Sequence, residues 1–173
     1  MAKDSFGALI SPTLRYRMSQ GVLLLLAICF GLQVFSPLRL NTDAVVLLSM
    51  AQSAAHGGGF LDSGQKTVFP PGYPAALAVL MRASLVHSWV IISLNLVLLA
   101  GGLVAAYRLL LRDFCENRTV VMTFCSLFLL SFVVIKHSAI ALTDVPFVCF
   151  AMWCLDAMSE ARRATGNRQF IIT

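Results

Sequence analysis

Charge is what this sequence lacks most. Only 12% of its residues are Asp, Glu, Lys or Arg, against about 25% in an ordinary soluble domain, so there is too little polar surface to solvate a globule. Acids are the scarcer sign, 8 against 13 bases, and the net charge is +5. Cysteine is missing from the one long polar stretch. Cys29, Cys115, Cys125, Cys149 and Cys154 fall in apolar runs or the basic turn between them, which excludes a disulfide framework and a CxxC metal pattern. The chain has no internal repeat and no low-complexity segment. Nothing in its basic residues marks a nucleic-acid partner, and the positive charge reads as membrane topology and contact with anionic lipid.

What is there is hydrocarbon-compatible. Hydrophobic residues make up 58% of the chain and the mean hydropathy is +0.82, so the chain reads as an integral, multi-pass membrane protein, all-α in class. A helix crossing the bilayer needs roughly 20 residues, which places four spans at about 19–35, 89–111, 119–135 and 145–158. Lys and Arg are retained on the cytoplasmic side. Lys3, Arg15 and Arg17 precede the first span, Arg108, Arg112 and Arg118 lie between spans two and three, and Arg162, Arg163 and Arg168 follow the fourth span, together nine of the 13 basic residues. The N-terminus is therefore expected in the cytoplasm and the loop at about 39–88 outside it, beyond the plasma membrane if the source is bacterial. No small-residue cleavage site follows Phe35, so the first run reads as a signal anchor. Asn117-Arg118-Thr119 has the form of a glycosylation sequon but falls on the cytoplasmic side, where it is expected to start the third helix. The final run Arg168–Thr173 reads as the beginning of a fifth span, and the chain as the N-terminal part of a longer protein.

The organising stretch is Arg39–Pro74. It is too long to be structureless, and Thr42 can cap a helix with Asp43 in its first turn, running to Ala55 and stopped by His56 and Gly57-Gly58-Gly59. A helix of this pattern lies in the membrane interface. Phe60–Phe69 reads as a mobile polar connection holding Asp62 and Lys66. Phe69-Pro70-Pro71-Gly72-Tyr73-Pro74 then opens a second interfacial helix to about Val86, with Pro74 suited to its start. The same logic recurs at the fourth span, where Thr143 can cap and Asp144 and Pro146 sit in the first turn. A Thr-Asp pair thus stands at the outer end of two separate helices. Capping alone accounts for an acid at each position, through about 0.3–1 kcal/mol from the helix dipole. The functional reading is that both carboxylates face one extracytoplasmic boundary. Inside the spans, Asn95 and Asp156 need partners; Arg108 or Arg163 is the expected partner of Asp156.

In order and spacing, these motifs resemble the N-terminal portion of the GT-C superfamily of membrane glycosyltransferases. They are an acid opening an amphipathic helix after the first span, a glycine break, Phe-Pro-Pro-Gly-Tyr-Pro, and Leu-Thr-Asp-Val-Pro-Phe opening span four. The protein O-mannosyltransferase and aminoarabinose-transferase group is nearest in pattern, and the resemblance covers about residues 10–160. It implies a GT-C-like bundle that takes a sugar from a polyprenyl-phosphate carrier and passes it to a lipid, glycan or protein acceptor on the outer side. The first-loop acid of that family is the general base, and its position falls on Asp43. Asp144 matches the second acid, orienting the acceptor or, with Asp43, binding a divalent cation such as Mg or Mn in members that use one. Lys66, Arg39, Lys136 and His137 are the candidates for the leaving phosphate, with Arg82 beside them, and Tyr73 for lining the carrier groove; each also serves as an ordinary interface residue. Where many relatives have paired acids or an aromatic after the first acid, Asn41-Thr42 and Leu47-Leu48 stand here, which leaves the acceptor open. The fragment alone is expected to be inactive. A polytopic transporter or scaffold is the competing reading, with Asn95 and Asp156 marking a path and the proline and glycine breaks as hinges. A transporter gathers polar residues at the bilayer midplane, whereas this chain gathers them at the outer boundary.

Overall fold

The computed structural model describes residues 11–164; Lys3 and the run Arg168–Thr173 lie outside them. Helix α1, Pro12–Leu32, is capped by the Ser11 side chain and ends in a single tight turn, Gln33–Phe35. The amphipathic helices follow as α2, Thr42–Ala55, and α3, Gly72–Arg82. Between them β1, Leu61–Asp62, pairs antiparallel with β2, Gln65–Lys66, where an irregular connection was expected. The long helix α4 spans Ser88–Asp113, and α5, Arg118–Leu129, α6, Phe132–Ser138, and α7, Asp144–Ala164, complete the chain.

Two segments are long and apolar enough to cross a membrane, Pro12–Phe35 and Ser88–Asp113. The expected third span is not one straight helix. Leu130 ends α5, Ser131 takes an extended ψ of 128° that interrupts the hydrogen-bond ladder, and α6 leaves at 61° to α5; counted as one bent span, the pair brings the total to three. Helix α7 has the length, at 21 residues, but carries Asp156, Glu160, Arg162 and Arg163 in its second half. Its Thr143 carbonyl accepts the Phe147 amide at the start, as an N-terminal residue should.

Several local expectations are corrected by one residue or by one partner. Asn41, not Thr42, caps α2, its Oδ1 accepting from the Ala44 amide at 2.8 Å. Gly57 takes the left-handed φ of 84° just past the end of α2, which a Cβ would strain. Arg82 is drawn away from the candidate phosphate group: it donates to the carbonyls of Ala55 and Ala54 at 3.1 and 3.2 Å and closes the C-terminus of α2. Asn117 starts α5 as expected, accepting from the Thr119 and Val120 amides.

The apolar core is in two parts. One cluster joins Ala44, Leu47, Met50 and Ala51 of α2 to Tyr73 and Leu77 of α3, Ile91 of α4 and the segment Ile140–Leu142. The other joins Phe30, Leu99, Leu129 and Val145 between α1, α4, α5 and α7. The first cluster sits at the end of the bundle where α1 finishes, α4 starts and α7 starts, and it fixes the two helix openings that carry the acids.

Candidate functional site

Two chain segments meet at that end. The Arg39 amide donates to the Ala139 carbonyl at 3.0 Å, and Arg39 forms a parallel bridge with Ile140. From that bridged pair each segment runs four residues in the same direction to an acid at a helix start, Asp43 in α2 and Asp144 in α7. The bridge thus sets each acid the same number of residues beyond one shared pairing point. Asp43 is exposed and, among the described residues, has no hydrogen-bond or ion-pair partner. Asp144 lies 2.7 Å from His137 Nδ1, with the two side chains 54% and 24% exposed. Despite that closeness, the buried Nδ1 makes no hydrogen bond among the described residues. Arg39 and Lys136 are both exposed beside these groups in sequence.

Behind the junction is a buried amide that sequence reasoning noted but did not connect to it. Asn95 of α4 is 0% exposed. Its Nδ2 donates to the carbonyls of Ser138 at 3.3 Å and Ile140 at 2.8 Å, and its Oδ1 accepts from the Tyr73 hydroxyl at 3.1 Å. Ser138 Oγ in turn donates to Gln33 Oε1 at 2.8 Å. Tyr73 thus faces the interior, and burial pushes its phenol from the ordinary 10.0 up to about 12. Two single amides, Gln33 and Asn95, inside otherwise apolar runs were the available signal.

Lys66 belongs to a different neighbourhood. It sits exposed on β2, and the hairpin is tied to the middle of α2 through the Ser63 amide on Ser49 Oγ and the Thr67 hydroxyl on Met50 Sδ. No bond among the described residues joins it to the junction. A cavity of about 250 Å³ between α4, α5 and α7 is lined by apolar residues such as Leu103, Phe128 and Met152, and neither acid lines it.

At the opposite end, Asp156 is paired with Arg112 at 2.7 Å and more loosely with Arg108 at 3.5 Å. Arg163 instead pairs with Asp113 at 2.7 Å. Neither Asp156 nor Asn95 is an unpartnered polar group lining a path.

Among the described residues no group of three or more His, Cys, Asp or Glu side chains is placed to hold a metal ion. The junction offers a free carboxylate, a second carboxylate already in contact with an imidazole, and exposed basic groups. Such a set can accept a proton from a hydroxyl and neutralise an anion. Together with two apolar helices of spanning length, this defines a helical membrane protein with a polar junction at one end of its bundle. No family model, no curated protein and no solved structure matches the chain.

Proposed function

We propose that this protein acts in a membrane glycosyltransferase of GT-C type, with a polyprenyl-phosphate-linked sugar as donor and a lipid, glycan or protein hydroxyl as acceptor on the extracytoplasmic side. The observation that carries the reading is the shared register of the two acid-bearing helix openings, with Asp43 exposed and unpartnered. In this reading the Asp43 carboxylate takes the acceptor hydroxyl proton as the oxygen bonds to the anomeric carbon. The glycosidic C–O bond breaks with its electron pair leaving on the polyprenyl phosphate, and a single displacement inverts the anomeric centre. Asp144, held against His137, orients the acceptor, and Arg39, Lys136 and His137 offset the phosphate charge. No step runs through a metal. Four crossings, the fourth along α7, put the junction outside the cytoplasm.

The reading is supported by where polar groups are free. A translocation path needs uncommitted polar residues within the spans, and Asn95 and Asp156 are both bound. The test is turnover of radiolabelled polyprenyl-phosphate sugars by membranes carrying the full chain, wild type against Asp43→Asn at matched expression. Loss of a general base lowers the rate by about 10²-fold or more. Equal rates would reduce Asp43 to a helix-opening acid, and no turnover by wild type across a panel of carriers would remove the transferase reading.

A further inference from the structure

Segment 139–142 has little to hold it in place by itself. It lies between the end of α6 and the start of α7, forms no helix or strand beyond one bridge to Arg39, and is nonetheless buried, as is Ser138 before it. Buried backbone carbonyls must find donors. Those of Ser138 and Ile140 both accept from the Asn95 amide of α4, and the Ile140 carbonyl also takes the Leu142 amide at 2.9 Å. Between them, the Ala139 carbonyl takes the Arg39 amide. Ala139 is the turn residue that ends α6, at φ −101° and ψ 13°, so Asn95 holds the residues on either side of it while the segment carrying Asp43 binds the turn itself. By fixing Ser138 and Ile140, Asn95 holds the turn with which Arg39 pairs. Tyr73 donates to the remaining Asn95 oxygen, which fixes the orientation of the amide and leaves Nδ2 for the carbonyls.

We infer that Asn95 is a positioning residue, a clasp that holds the Asp144 opening in register with the Asp43 opening without touching substrate. Its catalytic meaning rests on the transferase reading; the register itself does not. Asn95 sits in the span yet acts on the junction, because the first turns of α4 pack against both α3 and the segment before α7. A misplacement of about 1 Å by a group remote from the chemistry can lower a rate by about 10²-fold, and a clasp of this kind is where such a change would enter.

Amide hydrogen exchange on the full chain in lipid nanodiscs reads the register with no turnover required. Asn95→Leu keeps the branched shape and heavy-atom count of the side chain and removes both carbonyl bonds, and it should speed exchange at the Arg39 amide by about tenfold or more. Tyr73→Phe keeps those bonds and should leave that amide within about threefold of wild type. The double variant Tyr73→Phe/Asn95→Leu leaves no orphaned hydroxyl, guards against misfolding of the single variant, and should match Asn95→Leu; exchange around Gly102 serves as the control for an intact bundle. Wild-type exchange at Arg39 in both Leu variants overturns the clasp, as does an equal increase in Tyr73→Phe. In the turnover assay Asn95→Leu should lower kcat by about 10²-fold with KM for the donor changed less than about threefold. A raised KM with unchanged kcat overturns the positioning role. Absence of transfer in wild type removes the transferase reading, and the exchange result then decides the clasp alone.

Discussion

At the scale of single residues, the strongest constraint on this chain is that a charge inside it must be answered. Asp156 is a side chain 9% exposed, facing Arg112 at 17%, and Arg112 also donates to the Asp156 carbonyl at 3.0 Å. Removing one member of a buried pair leaves the other desolvated and costs about 3–5 kcal/mol. Asp156→Ala should therefore lower the unfolding free energy in detergent by about that amount, and Asp156→Leu combined with Arg112→Met should recover most of it. A loss under about 1 kcal/mol for Asp156→Ala would make the pair equivalent to an exposed one. The need for a partner was legible in the sequence, because an acid in an apolar run requires one. Arg108, one of the two expected partners, does pair with it at 3.5 Å, but the closer partner, Arg112, was not legible. Arg108 and Arg112 are four residues apart and share a face of α4, so the choice depends on how far α7 is shifted along α4, a quantity no local pattern contains. Asn41 and Thr42 pose the same problem at smaller range: both are good caps, and the backbone at Asn41, extended at φ −117° and ψ 176°, selects the first.

At the scale of elements, helix existence was readable and helix continuity was not. The stop of α2 at the glycines and the start of α5 at Asn117 follow from local chemistry. The run Thr119–Ile135 is apolar enough to read as one span, and the break at Leu130-Ser131 has no proline or glycine to announce it. What stands at the far side of the bend is the tertiary network of Ser138 with Gln33 and Asn95, residues distant in sequence. Helix packing shows the same division. Gly101 and Gly102 of α4 both lie against α7, but the two glycines differ. A Cβ on Gly102 would meet Cys149 Cα at 2.9 Å, whereas one on Gly101 meets the Trp153 ring at an ordinary 3.6 Å. Gly102→Ala should destabilise the bundle by about 1–3 kcal/mol through overpacking. Gly101→Ala should be neutral or stabilising by up to about 1 kcal/mol, the helical preference for alanine. Thermal unfolding of the two purified variants checks this, and a Gly102→Ala variant as stable as Gly101→Ala would mean that α4 and α7 do not cross so closely.

At the scale of the whole molecule, the two ends of the bundle differ in kind, and the difference was visible in composition before any contact was known. One end holds Arg15, Arg17, Arg108, Arg112, Arg118, Arg162 and Arg163; the other holds Arg39, Lys66, Arg82 and Lys136. Several arginines of the first end are paired with acids, Arg112 with Asp156 and Arg163 with Asp113, yet acids contribute little to the orientation rule, so the bias survives the pairing. The junction at the second end was legible only as two motifs far apart in the chain; that they share a register depends on Asn95 and on a bridge between Arg39 and Ile140 that neither motif encodes. If the bias sets topology, the hairpin and the α4–α5 turn lie on opposite sides of the membrane. Gln65 and Glu116 are exposed at these two places. In a background with Cys115→Ser, Gln65→Cys should react with a membrane-impermeant maleimide on intact cells, and Glu116→Cys only after permeabilisation. The reverse pattern would put the acid-bearing junction in the cytoplasm, where the proposed acceptor chemistry would have to be reassigned. Labelling of both from one side would mean an even number of crossings between hairpin and turn, and α4 would then not be a span.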